Sequence, residues 1–351
     1  MSRPVRFTAA IAAAVIALPI LAACGTDDGA DGSTTPTAGP SGDAVVVYSG
    51  RSESLVGPLF AEFTAQTGIE VQARYGDTAE LAAQLIEEGD RTPASVFFAQ
   101  DAGALGAIAA AGLFAPLPES VATTVPVNYR ATDGTWTGIT GRARVIAYDA
   151  EQVSADQVPT SVFELTDPTW KGQVGIAPTN ASFQSFVTAM RVAQGDEITR
   201  AWLEGLVAND VQEFEKNGLI LDAVDTGQVQ LGLINHYYWY EKAEEVGADA
   251  MRAQIAFTAP GDPGTLVNVA GVGIMATAAN QPNAAAFIEW LLTPRTQEWF
   301  VANTFEYPLL PEVAAVDGIP PLDTLRGPDA PLAELADLPG TLLMLEEVGL
   351  L

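Results

Sequence analysis

The chain has 351 residues, 48% of them hydrophobic, with 44 acidic side chains against 16 basic ones and a formal charge of −28. Such a surface is a poor partner for DNA, RNA and anionic lipid head groups, because attraction to Lys and Arg is the main affinity term for all three. A single cysteine excludes an intrachain disulfide, and a single histidine, His236, excludes a histidine-rich zinc site and any Ser/His/Asp triad built elsewhere in the chain.

Arg3 and Arg6 precede an apolar run over residues 7–23, broken by Pro19 and ending in Leu21-Ala22-Ala23-Cys24. A basic start, an apolar middle and small residues before the cut predict a signal peptide over residues 1–23. Removing its two arginines and no acid takes the formal charge from −28 to −30. Leu-Ala-Ala-Cys resembles the lipobox of bacterial lipoproteins. That resemblance implies a mature chain that begins at an acylated Cys24, anchored by lipid to the outer face of the cytoplasmic membrane. Residues 24–43 carry no large apolar side chain and read as a flexible tether of roughly 25 Å r.m.s.. Nothing beyond residue 24 is long and apolar enough to span a bilayer. The remaining body is large enough for two lobes.

The body opens with Ala44-Val45-Val46-Val47-Tyr48, a continuous apolar run that suits a buried parallel strand. A helix follows with Leu55, Val56, Leu59, Phe60 and Phe63 on one face, Pro58 read in its first turn, and Gly68 beyond its end. Ile69, Val71, Ala73 and Tyr75 alternate as a second strand. Asp77 caps a helix whose apolar stripe is Leu81, Leu85 and Ile86 and whose stop is Gly89. Ser95-Val96-Phe97-Phe98 is a third strand, and Asp101 caps a helix that carries Leu105 and Ile108 and ends at Gly112. This β-α-β-α-β-α succession predicts a parallel sheet with helices on both faces. No Walker A sequence or dinucleotide-type glycine run follows the first strand, and carboxylate pairs read as solvated helix faces, so enzyme chemistry has no support.

Near residues 141–149 the chain crosses to a second lobe. Ser161 and Glu164 read as a capping box, residues 173–176 as a strand, and Asn180-Ala181-Ser182 as the entry to an amphipathic helix marked by Phe183, Phe186, Val187 and Met190. Helices around Trp202 and over 219–224 follow. The expected lobes are residues 44–142 with about 266–318, and 143–265 with about 319–351.

Val229, Leu231 and Leu233 alternate with Gln230 and Gly232 as a strand, and residues 240–246 read as a short helix stopped by Gly247. Tyr237 and Tyr238 therefore lie where a strand turns into a helix, a place where open α/β sheets bind ligands. Two readings stay open from these residues alone. The rings end a strand and pack under the helix with hydroxyls bonded at the rim, or they are a phenolate pair for a hard trivalent cation. A phenol's pKa near 10 keeps it protonated in water, and a bound metal ion reverses that.

The tyrosine pair stands within Leu233-Ile234-Asn235-His236-Tyr237-Tyr238-Trp239. With Val47-Tyr48-Ser49-Gly50, Ser95-Val96-Phe97-Phe98, Gly141-Arg142-Ala143-Arg144-Val145, Ala177-Pro178-Thr179 and Glu306-Tyr307-Pro308-Leu309, in this order and spacing, it resembles the ferric-iron-binding proteins that feed ABC importers, the bacterial transferrin type. The likeness runs over nearly all of residues 44–350. It implies an α/β, two-lobe periplasmic-binding-protein (type II) fold with a hinge and an interlobe cleft, no enzymatic activity, a monomer, and Fe(III) delivered to an ABC permease. It puts the iron on Tyr237 and Tyr238.

The sequence departs from the family pattern at three ligand positions. The family's histidine falls at Ser52, its glutamate at Gln100, and a subgroup's additional tyrosine at Gln184. Two phenolates leave Fe(III) with one uncompensated charge and about four positions if octahedral. Glu53, Asp101 and Asp77 are candidate ligands, although Asp77 and Asp101 also suit helix capping, as does Ser52. The other candidate is an exogenous anion, phosphate or carbonate, at the family's anion site. That site resembles Asn180-Ala181-Ser182 at a helix N-terminus, with Asn235 and an arginine from Arg51, Arg142 or Arg144 in support. Surface or interlobe ion pairing is the other reading of the arginines. The slot of His236 is not a ligand in the family, so a packed or solvent-facing imidazole is expected. The rival readings are the same fold binding an organic cation (thiamine or a polyamine) or an oxyanion, and a lipoprotein of another class such as a hydrolase or adhesion module.

Overall fold

A computed structural model describes residues 43–327 and 332–351, which fall within one unit. The signal peptide, most of the tether and Cys24 lie outside the described residues. In chain order the elements are β1 (Val45–Ser49), α1 (Glu53–Thr67), β2 (Val71–Tyr75), α2 (Thr78–Glu88), β3 (Val96–Ala99), α3 (Ala102–Ala110), α4 (Glu119–Ala122), β4 (Trp136–Asp149), β5 (Val174–Ile176), α5 (Ala181–Gln194), α6 (Asp196–Ala208), β6 (Gln212–Glu213), α7 (Asn217–Asp225), β7 (Leu231–Asn235), α8 (Tyr237–Val246), β8 (Ala253–Ala256), β9 (Val267–Ile274), α9 (Gln281–Leu291), α10 (Pro294–Thr304), β10 (Tyr307–Pro308) and α11 (Leu338–Glu347). Among the described residues no helix is long and apolar enough to cross a membrane.

The strands follow the order β2-β1-β3-β9-β4-β7-β5-β6. β1 pairs in parallel with β2 and β3, as right-handed βαβ connections require. The sheet as a whole is mixed rather than parallel, because β9 returns from far along the chain and runs antiparallel to both β3 and β4. β4 is the shared element. Through Ala143 it pairs with β9, and from Arg144 onward it pairs with β7 and β8. Thirteen of its 14 residues are buried, so it is sheathed on both faces along nearly its whole length.

Local chemistry accounts for most element ends and for three departures from the pattern. Asp77 accepts from the N–H groups of Ala79 and Glu80 at the start of α2, and Asp101 from that of Ala104 at the start of α3. Gly68, at φ 74°, ends α1 in the left-handed conformation that costs glycine least. α1 begins at Glu53, so Pro58 lies inside the helix rather than in its first turn. The carbonyl it leaves without a donor belongs to Ser54, which is exposed to solvent. Ile86 is 48% exposed, since one residue beyond Leu85 the helix has turned it off the buried stripe. Ser161 caps a short 3-10 turn by accepting from Phe163 N–H, and Glu164 accepts from Thr160, so the reciprocal capping box does not form.

The C-terminal helix lies on α5, where the hydroxyls of Thr188 and Thr341 are 2.7 Å apart and Arg191 reaches Asp337 at 2.9 Å. The loop leaving β1 presses on the first residue of α2. A Cβ at Gly50 would lie 1.9 Å from Thr78 Oγ1 and 3.0 Å from Thr78 Cβ. Gly50→Ala is therefore expected to lower unfolding free energy by about 1–3 kcal/mol in urea titration; an unchanged midpoint would mean the loop has room to retreat.

Candidate metal centre

β7 passes into α8 without a loop. His236 already has helical backbone angles (φ −56°, ψ −41°), so the helix starts at Tyr237, three residues earlier than its pattern predicts. Both tyrosines therefore occupy the first helical turn, half-buried, with rings nearly parallel (27°) and centroids 4.3 Å apart. Trp239 is turned away into the packing around β7, where its N–H donates to the Ala253 carbonyl at 2.6 Å, and Tyr240 stacks on Phe305. Burial first, then the neighbouring phenol and Glu306, push the Tyr237 phenol well above its usual range, against the pull of Arg142. Arg51 and Arg144 both feel the two phenols electrostatically.

His236 is fully buried and held at both nitrogens. Nδ1 accepts from the Ala143 N–H at 3.2 Å, and Nε2 therefore donates to the Phe305 carbonyl at 2.9 Å. Burial drives its pKa down to about 4, opposed by these bonds, so the ring is neutral and has no lone pair to offer a metal. The expectation of a packed imidazole holds, and the ring joins the tyrosine helix to the point where β4 changes partner.

Beyond Phe305 lies Glu306, 1% exposed, which takes Arg51 in a fork at 2.9 and 3.1 Å and accepts from the hydroxyls of Thr140 at 2.8 Å and Thr304 at 3.3 Å. Arg142 Nε stands 3.7 Å from the same carboxylate. Burial alone would raise the Glu306 pKa, but Arg51, Arg142 and these hydrogen bonds outweigh it and hold the carboxyl below its usual range.

Arg144 has no acidic partner among the described residues. Its Nη1 donates to Ser182 Oγ and Asn235 Oδ1, each at 3.3 Å, and it lies against the faces of Phe183 and Phe186. Nε and Nη2 are buried without a hydrogen-bond partner, and burial lowers the pKa to about 10. A cavity of about 10 Å³ is lined by Arg142, Arg144, Ser182, Asn235 and Asn268, among others.

The structure thus brings together Tyr237, Tyr238, Arg51, Arg142, Arg144, Asn235 and Ser182. At the start of α5, Asn180 Oδ1 accepts from Ser182 N–H and Oγ, and Asn180 O accepts from Phe183 and Gln184 N–H, so the helix start that Ala181 opens is already engaged in its own cap. The other candidates are elsewhere or occupied. Ser52 and Glu53 are exposed at the start of α1. Asp77 serves as a cap. Asp101 is buried, bonded to Ala104 N–H and Ser185 Oγ, with its pKa raised by burial against those bonds and Arg142. Gln100 donates to the Gly50 carbonyl at 2.8 Å and Gln184 to the Pro178 carbonyl at 3.1 Å. Among the described residues no group of three or more His, Cys, Asp or Glu side chains could hold a metal ion.

Two residues that bear on the site were not singled out from the sequence. Glu306 stood in a motif without a role, although a lone acid between Phe305 and Tyr307 is a signal. Glu241 follows Tyr237 by one helical turn.

The family model described as bacterial extracellular solute-binding protein matches residues 92–330. The chain belongs to that family. A relative, the Fe(3+)-binding periplasmic protein of Serratia marcescens, is 34% identical over 308 residues, which is 88% of this chain and 90% of the relative. Iron-bound HitA from Pseudomonas aeruginosa superposes with a TM-score of 0.82 at 31% identity, covering 87% of this chain and 99% of that one. Trichodesmium IdiA (FutA), in complex with iron and citrate, does so at 0.78 and 27%, covering 88% and 100%. The family resemblance and the two-lobe type II fold read from the sequence are borne out, and the relatives are named as binding proteins.

In this solute-binding protein His236 carries a pH-dependent part of the stability. The unfolded chain protonates the imidazole as pH falls below 6.5, whereas the folded one resists until about 4, so the stability present at neutral pH is lost across that window. His236→Asn is expected to destabilise most at pH 7, and the gap from wild type should shrink by about 3 kcal/mol toward pH 4. Urea unfolding at several pH values measures this, and a pH-independent gap would disprove it.

Proposed function

We propose that this solute-binding protein captures Fe(III) between its lobes and delivers it to an ABC permease. The observation that carries the reading is the stacked pair Tyr237 and Tyr238 in the first turn of α8, ringed by Arg51, Arg142 and Arg144. Guanidinium groups favour the phenolate over the phenol. Fe(III) is a hard cation that prefers oxygen donors, and the relatives named above are described as binding iron. An organic cation would meet three guanidinium groups answered by one carboxylate, Glu306, without phenolate bonds to offset the remaining charge.

Two phenolates leave charge and coordination positions to fill, and the partnerless edge of Arg144, beside Ser182 and Asn235, supports a co-bound anion such as phosphate or carbonate. The lobes in this reading are residues 44–142 with about 266–318, and 143–265 with about 319–351, joined through β4. The protein is exported and works as a monomer, tethered by lipid on Cys24 close to its permease.

Ferric citrate titrated into the protein is expected to develop a visible phenolate-to-iron band. Tyr237→Phe and Tyr238→Phe should each weaken the band and lower iron affinity by more than about 100-fold, beyond the effect typical of an outer-sphere change. A full band in either variant would remove that residue from the site. Separately, Cys24→Ala expressed in a bacterial host should move the protein from the membrane fraction to the soluble one; retention would rule out the lipid anchor.

A further inference from the structure

We infer that Glu241 is a third protein ligand to the ferric ion, supplying from the next turn of α8 the carboxylate that the chain lacks at Gln100. The inference rests on the reading of Tyr237 and Tyr238 as iron ligands.

Glu241 is four residues beyond Tyr237 and three beyond Tyr238, the two spacings that stack side chains on one face of a helix. The intervening residues point elsewhere, Trp239 to the Ala253 carbonyl and Tyr240 to Phe305. The electrostatic neighbours of Glu241 are Glu306 and Arg51, the first of which also acts on Tyr237 while the second acts on both phenols. Arg51 is thus a neighbour common to the carboxylate and both phenols.

It is also free to bind. Among the described residues it has no hydrogen-bond or ion-pair partner. Arg51 is already forked by Glu306, and the adjacent Lys242 reaches the other way to Asp222 and Asp225. Glu241 reaches solvent.

Charge and donor type agree. Two phenolates leave a ferric ion with one positive charge, which one carboxylate cancels with the hard oxygen this ion prefers. The acids considered from the sequence are less suited, since Asp77 and Asp101 are engaged in caps and Glu53 lies on the first helix.

The test is ferric citrate titration of wild type, Tyr237→Phe, Glu241→Gln and Glu245→Gln, recording the visible spectrum and the return of iron to excess citrate. Glu245 is a distance control, an exposed acid about 12 Å along the helix from Tyr237. Glu241→Gln is expected to keep the phenolate band but move it to longer wavelength, because a weaker donor leaves the ferric ion a better electron acceptor. It should also surrender iron more than about 100-fold more readily, beyond the range of an outer-sphere change, while Glu245→Gln matches wild type. If Glu241→Gln superimposes on wild type in both measurements while Tyr237→Phe weakens the band, Glu241 is not a ligand and the iron reading stands. A wild type without any band would overturn the iron reading and this inference together. Equal unfolding midpoints for Glu241→Gln and wild type would exclude a general loss of structure.

Discussion

The fork between Arg51 and Glu306 is the contact on which both the framework and the site depend. An ion pair taken out of water loses several kcal/mol per charge in hydration and persists where geometry and further hydrogen bonds saturate it. Glu306 meets that condition, with both oxygens held by Arg51 and one also by the hydroxyls of Thr140 and Thr304. The partners come from four parts of the chain: the loop after β1, the middle of β4, the end of α10 and the residue before β10. Arg51 also acts on both phenols. One guanidinium therefore fixes the β1–α1 loop and adds to the field, shared with Arg142 and Glu306, in which the tyrosines sit.

The tyrosine helix is fastened to that hub through uncharged groups. His236 spans from the Ala143 N–H to the Phe305 carbonyl, and Phe305 holds a left-handed backbone (φ 54°) that a non-glycine residue adopts at some cost. Glu306 is the next residue. Tyr237 and Glu306 are thereby each one residue from an end of the same imidazole bridge. Ala143 is also where β4 leaves β9 for β7, so the bridge grips the sheet where its two halves meet. A neutral ring suits this place, because a charged one would add a fourth cation to Arg51, Arg142 and Arg144.

What sequence could show of this protein divides by range. Strands came from apolar runs, and helix starts from Asp77, Asp101 and Asn180, because each of those signals acts within four residues. Pro58 and Ile86 were misplaced by a turn or less, since a helix boundary shifts the phase of everything after it. The start of α8 was read late because three aromatic residues and a histidine are weak helix formers, and packing of Trp239 and Tyr240 against distant segments overrides that preference. The pairing of Arg51 with Glu306, 255 residues apart, left no local trace, so ion pairing and anion binding looked equally suitable for all three arginines. The structure separates them, with Arg51 forked by Glu306 through both Nη atoms, Arg142 at 3.7 Å from the same acid, and Arg144 without an acidic partner among the described residues.

That unequal treatment bears on how cargo and anion would cooperate in the proposed function. Had Arg144 a fixed carboxylate like Glu306, its charge would be answered whether or not the cleft held anything. Without one, a buried guanidinium with two partnerless N–H-bearing nitrogens is under-solvated until negative charge arrives. In the proposed function, phenolates formed on iron binding would supply some of it, since both phenols act on Arg144, and an anion bonded to Nε or Nη2 would supply the rest. Each event raises the affinity for the other by the same factor, as linkage requires. On this reading the cation is held tightly only with its anion, and removing either loosens the other without any change in the fold.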